Sequence, residues 1–241
     1  MTGIDPAAER RQNPGGADDW TETHRLDVLV SNPSSGPDHA ESSQLALSFQ
    51  LSLQPNRRRA GFLSAVLEEG QLPIVISDLE ISLPATGLEV RTSGLWAEFV
   101  CETPLDHWSY GLEAFALAVE DPRELLGRAV GDRVPLGWEL EFEAETPAEP
   151  TVGGLGYRQR GTGHGLLLSA AGEREIEGSA VRSHWWGLGN PGAAALSFVG
   201  ALPGEHQARE RSTTAVVLPG FNEHWLVELG PTGLMVLAES S

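Results

Sequence analysis

Lysine is missing from this chain: all sixteen basic residues are arginine. That excludes a side-chain Schiff base, a pyridoxal-phosphate anchor and the lysine of a phosphate-binding loop. The single cysteine, Cys101, excludes an internal disulfide and any cysteine-based zinc site. It falls in a strand pattern and reads as a small core residue rather than a nucleophile. No apolar run reaches the roughly 18–20 residues that cross a bilayer, and the longest, residues 192–202, stops at Pro203-Gly204. No His-x-His or His-x-x-x-His spacing occurs, so no metal is expected. No Gly-x-Ser-x-Gly elbow supports a hydrolase. The cluster Gly153-Gly154-Leu155-Gly156 lacks the helix pattern and spacing of a dinucleotide loop. No cofactor is expected.

Positive charge is scarce as well. A net charge of −18 argues against nucleic acid, whose phosphates need a basic patch. The run Arg57-Arg58-Arg59 follows Gln54-Pro55-Asn56 and suits a solvated hairpin tip. Residues 1–19 are polar and resemble neither a signal nor a transit peptide, so they read as a disordered tail. A cytoplasmic protein with no membrane span is expected.

Alternation dominates what is present. Leu45, Leu47, Phe49, Leu51 and Leu53 occupy every second position, the period of a half-buried strand. Pro55-Asn56 turns it and residues 60–67 return. Strands follow at 73–77, 79–83, 88–92 and 95–102, then a strand apolar on both faces at 108–119. One short helix is expected at 121–127, with Asp121 as cap, Pro122 at its first position and Gly127 as stop. Leu136, Trp138, Leu140 and Phe142 alternate with an outward row of glutamates, which suits a solvated face. Residues 147–163 hold two prolines and five glycines and read as a connection. Strand patterns resume at 164–169, 173–178, 180–186, 194–202, 209–218, 223–229 and 234–239. The chain is therefore expected to be all-β, with a first domain at 20–146 and a second at 164–241.

Two segments concentrate chemistry. In the strand at 108–119, Glu113 shares a face with Ser109, Gly111, Phe115, Leu117 and Val119. An apolar setting favours the proton-bearing form of a carboxyl, which can serve as a general acid. Pairing with a buried arginine such as Arg182 or Arg158 is the other reading. Trp108 and Tyr110 project from the opposite face, as ligand-cavity walls or as core. In the second segment Arg182, His184 and Trp186 alternate to one face and could hold an oxygen function beside an apolar chain. His164 and Trp225 lie on other strands of the second half and complete the candidate ligand site. Catalytic roles are expected for Glu113, His184 and Tyr110.

Leu95-Trp96-Ala97, residues 101–118, residues 131–137 and His184-Trp185-Trp186-Gly187 together resemble a known group. It is the lipocalin-like family that includes carotenoid 1,2-hydratase (hydroxyneurosporene synthase), with actinobacterial relatives. The resemblance runs from about Trp20 to Gly187. It implies tandem lipocalin-like, calycin-type antiparallel β-barrel or sandwich units with a ligand site in or between them. Family members add water to polyenes, and related two-domain proteins are cofactor-free cyclases, Diels–Alder catalysts among them. The family signature is close to Asp-His-x-Trp-Gly; here Ser183 precedes His184, so an orienting aspartate has no counterpart at that position. Three functions follow: a cofactor-independent cyclase acting on an extended apolar polyene or polyketide, a hydratase using Glu113, or a lipid or pigment carrier. The oligomeric state is not legible.

Overall fold

Strand periodicity sets the architecture. The computed structural model describes residues 3–31, 44–68, 71–119, 131–151 and 155–188, together with the backbone of strands at 212–217, 224–230 and 233–238. The main sheet holds β1 (Trp20–Ser31), β2 (Gln44–Gln54), β3 (Arg59–Glu68), β4 (Ile74–Ser82), β5 (Glu89–Arg91), β6 (Leu95–Thr103), β7 (His107–Val119), β8 (Gly131–Ala144), β9 (Glu149–Pro150), β10 (Gly156–Ser169) and β11 (Gly172–Leu188). These eleven strands follow the order β4-β3-β2-β1-β11-β10-β8-β7-β6-β5, with β9 beside β10. Three further strands, β12 (Ser212–Val217), β13 (His224–Gly230) and β14 (Gly233–Ala238), make a separate sheet near β1, β2 and β11. Every pairing is antiparallel, so the all-β expectation holds.

The tandem barrel units do not form. β1 pairs β11 from Trp20↔Leu188 to Leu29↔Ser179, and β8 pairs β10 from Gly161↔Ala144 to Ser169↔Leu136. Strands from both sides of residue 150 therefore share one sheet. That sheet is not organised as a closed barrel: its path runs from β4 to β5. The additional contact of β4 with β7 spans only Ile74↔Ala118 and Val75↔Leu117.

Residues 147–163, expected as a connection, contribute β9 and the first half of β10. Glycine serves close approach here rather than flexibility. A Cβ at Gly161 would lie 2.0 Å from the Glu143 carbonyl oxygen, and one at Gly165, whose φ is +142°, would lie 2.1 Å from that of Glu139. The segments 173–178 and 180–186 are one strand, β11. The helix expected at 121–127 and the strand expected at 194–202 lie outside the described residues. Among the described residues no helix is long and apolar enough to cross a membrane.

The inward rows form one core. Leu47, Phe49 and Leu51 of β2 meet Phe99 of β6, Tyr110 and Leu112 of β7, and Trp138, Leu140 and Phe142 of β8. Phe49 packs ring to ring with Phe99, Tyr110 and Trp138 at centroid distances of 5.5, 5.2 and 4.8 Å. The rows turn polar at one end of the sheet, where β1 and β10 begin and β11 finishes.

Residues 3–19, expected as a disordered tail, cross that end. Pro6–Glu9 form a 3₁₀ turn capped by Asp5, whose Oδ1 accepts from the Ala7 N–H at 2.8 Å. Arg11 Nη1 donates to the Pro84 carbonyl at 2.9 Å, and Asn56 Nδ2 donates to the carbonyls of Gly15 and Ala17, both at 2.7 Å. Glu9 is the one buried residue of this strap.

Candidate functional site

Strand alternation puts Arg182, His184 and Trp186 of β11 on one face, as expected, with Arg182 and His184 buried on the side of Trp108 and Tyr110 of β7 and Trp186 half-buried. Arg182 and His184 are 2% and 0% exposed. The Arg182 guanidinium carbon lies 4.8 Å from the Trp108 ring centre and 5.2 Å from that of Tyr157. The carboxylate that neutralises it is Glu9, not Glu113. Arg182 Nη2 donates to Glu9 Oε1 at 2.7 Å and Nη1 to Oε2 at 3.0 Å, a bidentate pair. The Tyr157 hydroxyl donates to Glu9 Oε2, and the Leu105 N–H to Oε1 at 2.8 Å.

Burial alone would raise the Glu9 carboxyl; the charge of Arg182, then the hydrogen bonds, overcome it and hold the group below the usual carboxylate range. Burial pushes the Tyr157 phenol up, and the neighbouring Glu9 carboxylate adds to that rise.

Next to this pair, β1 adds Glu22 and His24, two positions apart and thus on one face. His24 stands opposite His184 across the β1–β11 ladder, and the two imidazoles stack with centroids 3.9 Å apart. The His184 Nε2–H donates to Glu22 Oε1 at 2.9 Å, while His24 Nε2 lies 3.4 Å from the same oxygen without a hydrogen bond. Burial would raise the Glu22 carboxyl, but the two imidazoles hold it at about 2. For His24, burial comes first and facing His184 second; together they hold the ring down at about 4.

Four atoms at this end are buried without a hydrogen-bond partner among the described residues: His24 Nε2, His184 Nδ1, Trp108 Nε1 and Arg182 Nε. Unmet polar atoms are uncommon in protein interiors, and these four lie close together at one end of the sheet.

Glu22, His24 and His184 also offer one donor atom each within 4.8 Å of one another. Two imidazoles and a carboxylate are a transition-metal donor set. Here the carboxylate oxygen already accepts from His184, and both Glu22 oxygens lie 3.1 Å from the Gln12 N–H that donates to them. The two rings stack at an interplanar angle of 21°, and His184 is the one hydrogen-bonded to Glu22.

The other expected residues lie elsewhere. Glu113 is on the outer face of β7, exposed, between Trp96 and Gly137 in register and beside Phe115, which is 63% exposed. It is not desolvated, and the expectation of an interior acid is corrected. Glu113→Gln should change folding stability by less than about 0.5 kcal/mol in urea titration; a larger loss would show an inward role. Arg158 points outward too, with Nη2 3.5 Å from Glu149 Oε2. Tyr110 is buried one row deeper than Trp108, its phenol pushed up by burial. His164 is half-buried on the outer face of β10, opposite Glu141 and Glu177. Trp225 belongs to β13, and its side chain lies outside the described residues. Cys101 is half-buried against the core with its thiol pushed up to about 11 by burial, then by Glu9, which suits a packing role.

Glu9, Glu22, His24, Tyr157 and Gln159 are the site residues that sequence reading misses. The spacing Glu22-x-His24 was the available signal: two polar groups on one strand face, followed by Leu26 and Val28 on the same row. No carboxylate adjoins His184 in sequence; its hydrogen-bonding carboxylate is Glu22 of β1. Comparison of the chain with protein families, with curated proteins and with solved structures finds no match.

Proposed function

We propose that the chain is an enzyme that rearranges an oxygen-bearing apolar small molecule without changing its composition, by isomerisation or ring closure. The observation that carries this reading is the pairing of His184. Its Nε2–H is committed to Glu22, so that Nδ1 is the ring nitrogen left to act as base, buried and without a hydrogen-bond partner among the described residues. A base so placed can take a proton from carbon. Arg182 and Tyr157 stand on the same interior surface and can hold the oxygen on which negative charge then develops. Return of the proton to a different carbon gives an isomer; addition of the enolate carbon to an internal carbonyl or conjugated alkene, which then takes the proton back from His184, gives a ring of the same composition.

Hydration has less support, because Glu113, its proposed proton donor, faces outward. A carrier of an extended chain has less support too, because Phe49, Trp138 and Phe142 fill the adjoining layer.

The test is mass spectrometry of metabolites from cells carrying the intact chain or Glu22→Gln. The expected result is a precursor isobaric with the lost product, with flux reduced by about 10²-fold or more. A precursor lighter by one water would indicate hydration, and an unchanged profile would overturn the enzyme reading.

A further inference from the structure

Among residues 3–19 the anchor is a charged side chain, whereas a strap that merely covered the sheet end would bury an apolar one. Exchanging a buried ion pair for apolar contacts usually loses nothing in stability, so a carboxylate in this place calls for a reason. Its receptor belongs wholly to the sheet framework. Arg182 of β11 is held by Gln159 Oε1, to which Nη2 donates at 3.2 Å. Gln159 Nε2 is fixed in turn by donation to the Leu105 and Thr146 carbonyls, at 2.7 and 3.0 Å. Leu105 adopts φ +60° in the turn between β6 and β7, a left-handed conformation unusual for leucine, with its N–H on Glu9. The guanidinium lies against Trp108, Phe142 and Tyr157. Fork, phenol and amide are thus positioned by contacts that do not involve the strap.

We infer that Arg182, Tyr157 and the Leu105 amide form a carboxylate-recognition site for a small-molecule acid with an apolar body, and that Glu9 occupies it as an internal stand-in. The inference rests on the reading that the reaction centre lies at this sheet end, and it names the substrate's oxygen function as a carboxylate. The Gln12 N–H that covers Glu22 belongs to the same strap, so an acid that displaces Glu9 also uncovers the Glu22–His184 pair. The resident carboxylate competes at an effective concentration of about millimolar or above. Ligand therefore gains access only above a threshold that the strap sets.

The experiment uses the full chain with Glu9→Ala and the probe propionate, which reproduces the glutamate side chain from Cβ outward. Thermal unfolding and tryptophan fluorescence are followed against propionate, with propionamide as the neutral control. Propionate should stabilise Glu9→Ala and bind it about tenfold or more tightly than it binds the intact chain, while propionamide does neither. A folded Glu9→Ala that ignores propionate would overturn the inference. Should that variant not fold, hydrogen exchange on the intact chain decides: excess benzoate should speed exchange at the strap's Ala8 and Gln12 amides, and no change would overturn the inference. Propionate binding without any isobaric precursor in cells would leave the receptor standing and remove the reaction.

Discussion

Arg182→Met should lower folding stability by about 3 kcal/mol, read as a shift in urea midpoint at constant slope. The guanidinium makes hydrogen bonds to Glu9, Tyr157 and Gln159, and all of these lose their partner together. Breaking a buried pair from one side leaves the other charge uncompensated, and the usual range is about 3–5 kcal/mol. The lower end applies because the strap can carry Glu9 toward water, whereas Tyr157 and Gln159 stay behind on β10. Adding Glu9→Gln to Arg182→Met should recover much of the loss, since the stranded charge is then gone. A loss below about 1 kcal/mol in the single variant would mean that the pair contributes little and that the strap is already loose.

Acid should destabilise the fold through His24 before it reaches the carboxylates. The folded imidazole sits at about 4 against an ordinary 6.5, because burial and facing His184 oppose its charge. The unfolded chain therefore takes up the proton first. The contribution is fully present above pH 6.5, declines as pH falls, and is lost below about pH 4. Linkage gives a drop of about 2 kcal/mol between pH 8 and pH 5 from this group. Glu22, at about 2 when folded against an ordinary 4.5, contributes above pH 4.5 and is lost as pH falls toward 2, so it adds little in the upper window. His24→Phe should flatten the decline between pH 8 and 5 in urea titrations. An equally steep decline in that variant would assign the acid response to other groups.

The interior half of the candidate site was legible because strand period is a strict rule. Arg182, His184 and Trp186 share a face whatever the register, as do Trp108 and Tyr110. The same rule does not say which face is inside. In β7 both rows carry apolar residues, so Glu113 was placed within, although Phe115 beside it is solvent-facing. Glu22 and His24 were hidden because an inward polar pair breaks the hydrophobic alternation that identifies β1 as a strand. Glu9 was hidden for another reason: its partner is 173 positions away, and nothing local distinguishes a buried glutamate in a polar stretch from a solvated one. The tandem reading failed at β10, where Gly161 and Gly165 answer to the carbonyls of β8 rather than to any need for flexibility.

The ladder between β1 and β11 has a bearing on assembly. Glu22 and His184 are 162 positions apart, so the candidate site straddles a long-range seam of the sheet. Closing so large a loop is entropically slow. On the ribosome β1 is made first and can pair β2 soon afterwards, yet its other edge waits for β11. During that wait Leu26, Val28 and Val30 border an open strand edge, a site where chains aggregate. The polar Glu22, His24, Arg25 and Asp27 interrupt that edge. The polar residues of the candidate site thus also guard the strand while it is unpaired.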